Sequence, residues 1–150
     1  MTAMDKAKTK SEIEKIQQGV IDDLITSRNR MKTAADIDEN ETKDPEDLSR
    51  QNELGTMATR LKFMLQKAKD DLAFLKGIPL DTGDVVTEGS LVITNGYVFY
   101  VGIAVHPFDI EGKHVVSIST EAPIYVVMRD KKAGEDFDLA GKTYQIEAVK

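Results

Sequence analysis

Carboxylates are the residues in this chain whose number and spacing could do chemistry. The stretch 34–47 reads Ala-Ala-Asp-Ile-Asp-Glu-Asn-Glu-Thr-Lys-Asp-Pro-Glu-Asp. It holds seven acids (Asp36, Asp38, Glu39, Glu41, Asp44, Glu46, Asp47) against one base, Lys43. Such a cluster is either a divalent-cation probe or a set of helix caps. Asp44, Glu46 and Asp47 fall where a helix begins, and capping accounts for them. Asp36, Asp38, Glu39 and Glu41 lie between two helical repeats, where the dipole of the preceding helix opposes negative charge. A cation would relieve that cost, yet one turn offers too few converging oxygens for octahedral Mg2+. The physical expectation is a half-site completed by another protein; the alternative is an acidic tip that merely keeps the end of an arm solvated.

Two amphipathic repeats must position those acids. The first helix is predicted to open at Ser11, where Ser11-Glu12-Ile13-Glu14 forms a capping box. Its apolar stripe runs Ile13, Ile16, Val20, Leu24 and Met31, narrow enough for a two-helix seam. Asp44 as N-cap and Pro45 at the first position open the second helix. Its stripe is Leu54, Met57, Leu61, Met64, Ala68, Leu72 and Leu75, and Gly77-Ile78-Pro79 ends it. At 1.5 Å per residue this helix is roughly 45–50 Å long. Two stripes joined by a short polar turn predict an antiparallel coiled-coil hairpin over 1–77.

Beyond Pro79 the composition turns to Val, Ile, Tyr, Phe and Gly, marking a second domain over 78–150. Strands are predicted at 89–93, 97–105, 114–119 and 142–149, with the first two joined at Asn95-Gly96. Residues 123–128 read as a short helical turn or a further strand. The class is α+β, a helical hairpin followed by a small antiparallel sheet of four or five strands. About 70 residues is marginal for an independent core, so the sheet is expected to pack on the base of the hairpin through Phe74 and Leu75.

Composition removes several classes. Of 150 residues, 31% are charged and the formal net charge is −6, which argues against a non-specific phosphate-backbone binder. Cysteine is absent, so disulfides, thiolate metal sites and cysteine nucleophiles drop out. His106 and His114 have no metal-ligand or triad spacing, and no Gly-rich phosphate loop is present. No apolar run suggests a membrane span or signal peptide, which makes the cytoplasm the default location. Charge is polarised along the hairpin: outside the acidic stretch, residues 1–77 carry 13 Lys/Arg against 8 Asp/Glu.

With those residues in place, the chain resembles the Gre transcript-cleavage factor family over nearly its whole length. Asp36-Ile37-Asp38-Glu39-Asn40 is similar to the family's tip pattern of Asp, two residues, Glu, Asn. Ile118-Ser119-Thr120-Glu121-Ala122-Pro123-Ile124 and Lys131-Lys132-Ala133-Gly134-Glu135 resemble the family's Ser-x-x-(Ser/Ala)-Pro-Ile segment and its continuation, and 141–146 resembles its final strand. The resemblance implies a coiled-coil hairpin and an FKBP-like domain that binds RNA polymerase as a monomer, contacting nascent RNA only indirectly and no membrane. Ser119, Pro123, Ile124, Lys131 and Lys132 would face the polymerase. Asp36 and Glu39 would be the working pair, with Asp38 and Glu41 as neighbours in holding a shared Mg2+ at the polymerase active centre. No tightly bound cofactor is implied, and the factor would not be an enzyme by itself. Anchored on Gly55 and Arg60 instead, the tip pattern falls on Asn40 and Lys43. That register implies a channel modulator without cleavage stimulation.

Two other classes stand beside this one. Tyr97, Phe99, Tyr100, Phe108, Tyr125 and Phe137 are candidates to line a peptide-binding or prolyl-isomerase groove, with core packing as the plainer account. The two helical seams could also pair between chains as a structural dimeriser.

Overall fold

The computed structural model describes the backbone of residues 4–39 and 45–150, with side chains for these except 35–39, 45, 47, 48 and 51. Its elements run α1 (Lys6–Glu39), α2 (Pro45–Gly77), β1 (Leu91–Thr94), β2 (Val98–Gly102), β3 (Phe108–Ile110), β4 (Lys113–Ser119), α3 (Pro123–Met128), β5 (Asp136–Leu139) and β6 (Lys142–Val149). This is the α+β architecture read from the sequence. Two compact units divide the chain: Met1–Ile16 with Leu72–Lys150, and Gln17–Asp71.

Helix α1 starts earlier than the capping box at Ser11 predicts. Asp5 is the cap: its Oδ1 accepts the Lys8 backbone N–H at 3.2 Å, and its carbonyl accepts that of Thr9 at 3.0 Å. A carboxylate at this position satisfies an otherwise unpaired donor and suits the helix dipole. Ser11 therefore lies inside the helix. At the other end α1 runs through to Glu39, further than a turn beginning near residue 34 would allow. Helix α2 begins at Pro45 and ends at Gly77, as the Pro and Gly signals require.

Within the unit Gln17–Asp71 the helices are antiparallel. Gln17 Nε2 donates to the Ala68 carbonyl at 2.9 Å in a buried setting, and Ile21 and Leu65 are buried beside them. The seam thus uses Ile21 and Leu65 where the sequence stripes named Val20 and Met64. Those two are 38% and 48% exposed, one position off the buried face. A helix advances 100° per residue, so a three-residue step and a four-residue step differ by that amount of seam.

The other unit holds one six-stranded sheet in the order β3-β4-β2-β1-β6-β5. It is mostly antiparallel, with one parallel pair, β2 with β4. The two strands that periodicity missed, β3 and β5, are its edges. They are three and four residues long and only partly buried, so they carry little apolar pattern. Both leave through turns with two consecutive left-handed residues, Glu111-Gly112 and Ala140-Gly141. That conformation matches the twist of a two-residue hairpin. The Asn95-Gly96 hairpin is held differently, by Thr94 Oγ1, which accepts the Gly96 N–H at 3.1 Å and donates to the Tyr97 carbonyl at 2.6 Å.

Strand β2 is buried along its length, and its side chains feed two cores. Val98 and Tyr100 join Leu91, Val115 and Ile103 on one face, covered by Met4, Ile13, Leu75 and Ile78. Phe99 and Val101 join Val92, Ile118, Phe137, Tyr144 and Ile146 on the other, covered by Met128 and Val86. Leu75 is thus a core residue, whereas Phe74, one step round the helix, stays 44% exposed. Gly89 is obligatory where the chain enters the sheet: its φ is +88°, and a Cβ there would stand 2.5 Å from Ile78 Cγ2.

Candidate functional site

Two groups of residues were singled out, and the structure places each separately. Asp36, Asp38 and Glu39 belong to the final turn of α1, Asp36 and Glu39 three positions apart. Their side chains are outside the described ones, and Glu41 and Asp44 lie outside the described residues altogether. Asp36, Asp38 and Glu39 are therefore part of a helix, not of the connection between helices. The dipole argument applies to them more directly, since negative charge in a last helical turn is unfavourable unless a cation answers it. Among the described residues, no group of three or more His, Asp or Glu side chains is arranged to hold a metal ion.

The second group lies on one continuous segment of the sheet-bearing unit. Ser119 ends β4 opposite Gly102 of β2, and its carbonyl accepts the Ala122 N–H at 3.1 Å. Ala122 is extended (φ −68°, ψ 140°), and Pro123 starts α3 with its ring already at helical φ. Proline decides the ambiguity of 123–128 in favour of helix. Ile124 turns inward against the core formed by Phe99, Ile118 and Phe137. Pro123 stays exposed.

The segment then returns to the sheet. Lys131 accepts the Val86 N–H at 2.8 Å, and Lys132 pairs with Val85 in an isolated antiparallel bridge. The Lys132 N–H also donates to Glu135 Oε2 at 2.6 Å. Gly134 and Glu135 exchange backbone bonds with Ile146 of β6 at 2.8 and 2.9 Å. Backbone bonds thus fix Lys131 and Lys132, while the Lys132 side chain points to solvent. Sequence reading missed Val126 and Val127, which are 59% and 39% exposed beside Pro123. Their signal was present: a helix opened by Pro123 that buries Met128 must turn some of its valines outward.

The aromatic residues do not form a groove. Tyr100 and Phe108 belong to one face of the sheet, Phe99, Tyr125 and Phe137 to the other. Phe137 stacks on Tyr144 at 5.4 Å, and Phe99 meets both edge-on. Tyr97 is the exposed member, with its ring 5.3 Å from His114. His114 is spoken for by Asp109 at 2.7 Å across the β3–β4 pair, and His106 Nδ1 lies 3.2 Å from the carbonyl oxygen of its neighbour Pro107. No helix among the described residues is long and apolar enough to cross a membrane.

No family model matches the sequence, and no curated protein sequence does. Among solved structures, the crystal structure of GreA factor homolog 1 (Gfh1) of Thermus thermophilus aligns over 87% of this chain and 94% of that one, at 12% identity and a TM-score of 0.35. A likeness at that score carries no weight for function. The weight falls on the chain's own residues.

Proposed function

We propose that this chain is an RNA polymerase-binding elongation factor of the Gre type. Its helix pair enters the polymerase secondary channel, and Asp36 and Glu39 assist hydrolysis of the 3′ end of backtracked RNA. The observation that carries the reading is the acidic close of α1: Asp36 and Glu39 end one helix of an antiparallel pair whose remaining length is basic. Hard carboxylate oxygens suit Mg2+, and a few of them suffice where another protein supplies the other ligands. A metal shared in this way would supply charge stabilisation for displacement at a phosphodiester. Asp36 and Glu39 would orient it, with Asp38 and Glu41 adding negative charge, while polymerase provides the catalytic centre. Of the expected contact set Ser119, Pro123, Ile124, Lys131 and Lys132, Pro123 and Lys132 are the members a partner would reach, and Ile124 supports them from the core.

The deciding measurement is RNA cleavage by stalled, backtracked polymerase from the same source. The intact protein is expected to accelerate cleavage, and Asp36→Ala/Glu39→Ala to abolish the gain while still binding polymerase. Binding without any acceleration would leave the second reading, a channel modulator. That version is favoured by the register in which Gly55 and Arg60 place Asn40 and Lys43 at the working positions. Failure to bind core polymerase would remove both.

A further inference from the structure

The hairpin seam is not uniform. An antiparallel register carried outward from the Gln17–Ala68 bond assigns Leu24 to the layer of Leu61, Arg28 to that of Met57 and Ala58, and Met31 to that of Leu54. Gln17, Ile21, Leu65 and Ala68 are buried. Outward of Leu24 and Leu61, no described side chain in the unit is buried; Met31 and Leu54 are half-buried, and Arg28 and Ala58 are exposed. With Arg28, Met57 and Ala58 all exposed, the seam opens at one layer, and a single apolar layer follows it.

Two independent features loosen the same stretches. Gly55 sits inside α2, where an added Cβ would meet nothing within 4 Å; Gly19 in the inner stretch is equally open, but its stretch holds the buried Gln17 and Ile21, whereas no described side chain around Gly55 is buried. Glycine there only weakens the helix. Four threonines, Thr26, Thr33, Thr56 and Thr59, donate to the carbonyl four residues back at 3.0–3.1 Å. Such bonds compete with the helical ladder and bend it. All four lie outward of Leu24 and Leu61.

We propose that residues 26–33 and 49–60 open and close as a unit about the Arg28 layer, while the zipper from Gln17 to Leu24 and from Leu61 to Ala68 stays shut. The outer turns then lose and regain their pairing while the inner turns hold. The device concerns the chain alone and stands or falls apart from the polymerase reading.

Amide hydrogen exchange on the full-length protein tests it. Amides of 26–33 and 49–60 are expected to exchange on the order of 100-fold faster than those of 17–24 and 61–68, as a sub-global opening requires. Arg28→Leu fills the open layer and is expected to slow outer exchange about 10-fold or more. Gly55→Ala slows it about 5-fold. Neither variant should change the inner amides. Equal protection in the inner and outer stretches of the unchanged protein would overturn the proposal. So would variants that slow both stretches in parallel, because the hairpin would then open as a single piece.

Discussion

Tyr100 is the residue whose environment is least ordinary. Its side chain is fully buried in the sheet core, and among the described residues its hydroxyl has no hydrogen-bond partner. Gly102 makes the space, since a Cβ there would come within 2.7 Å of the ring. Burial, reinforced by the negative charges of Glu14 and Glu88, pushes the phenol from 10.0 up to about 12. Between pH 10 and 12 the unfolded phenol gives up its proton while the folded one keeps it. Tyr100 therefore contributes stability that is complete below pH 10 and is lost as pH climbs towards 12, on the order of 2–3 kcal/mol. Tyr100→Phe removes both the titration and the unsatisfied hydroxyl. Its unfolding free energy at pH 7 should rise by about 1 kcal/mol, and its decline above pH 10 should be shallower than that of the parent. Urea titrations of both proteins at pH 7, 10 and 11 measure this; a loss of stability at pH 7 would mean the hydroxyl is satisfied after all.

At the scale of elements, legibility followed the strength of local punctuation. Pro45 and Gly77 marked helix limits that the structure keeps, and Pro123 opens the helical one of the two alternatives for 123–128, because proline's fixed φ and glycine's freedom act within one or two residues. Asp5 was overlooked as a cap because Ser11-Glu12-Ile13-Glu14 offered a fuller motif, although a capping box inside a continuing helix has no free N–H to serve. The edge strands β3 and β5 were invisible because a strand with one buried residue, such as Phe137 in β5, has no period. The parallel β2–β4 pairing depends on a connection that passes through β3, a long-range matter no local pattern encodes. The seam's register was misread by one position at Val20 and Met64, since steps of three and four are equally helical until a partner helix chooses. Gln17 makes that choice here, by reaching the Ala68 carbonyl. A buried polar residue in a seam specifies register at a cost in stability. Gln17→Leu is therefore expected to raise the unfolding free energy by about 1 kcal/mol, and with it the midpoint, while admitting dimers, detectable by sedimentation. A strictly monomeric variant with a lower midpoint would show that the amide stabilises more than it specifies.

For the molecule as a whole, residues far apart in the chain complete the first sheet core. Met4 and Ile13 come from the start of the chain, and Leu75 and Ile78 from the end of α2. A fragment of residues 78–150 keeps every strand yet lacks Met4, Ile13 and Leu75. It is expected to bury too little apolar surface to fold, showing no cooperative thermal transition and poor amide dispersion. A fragment that melts cooperatively would show those three residues to be dispensable. The carboxylates at 36–39 were legible as a candidate because charge needs no fold to be counted, whereas the partner that would answer them leaves no trace in composition.

The place of β6 in the strand order has a bearing on synthesis. It lies between β1 and β5, and Lys150, just beyond it, exchanges backbone bonds with Leu91 in both directions at 2.9 Å. On a ribosome, β1 and β2 emerge long before the strand that must flank them. Until β6 leaves the exit tunnel, the side of β1 away from β2 stays open and available to any other nascent strand. The helices, whose ladders are local, can form from the first turn. Production of this chain should therefore be most vulnerable to aggregation during the interval between β2 and β6, and pauses in that window should lower its soluble yield.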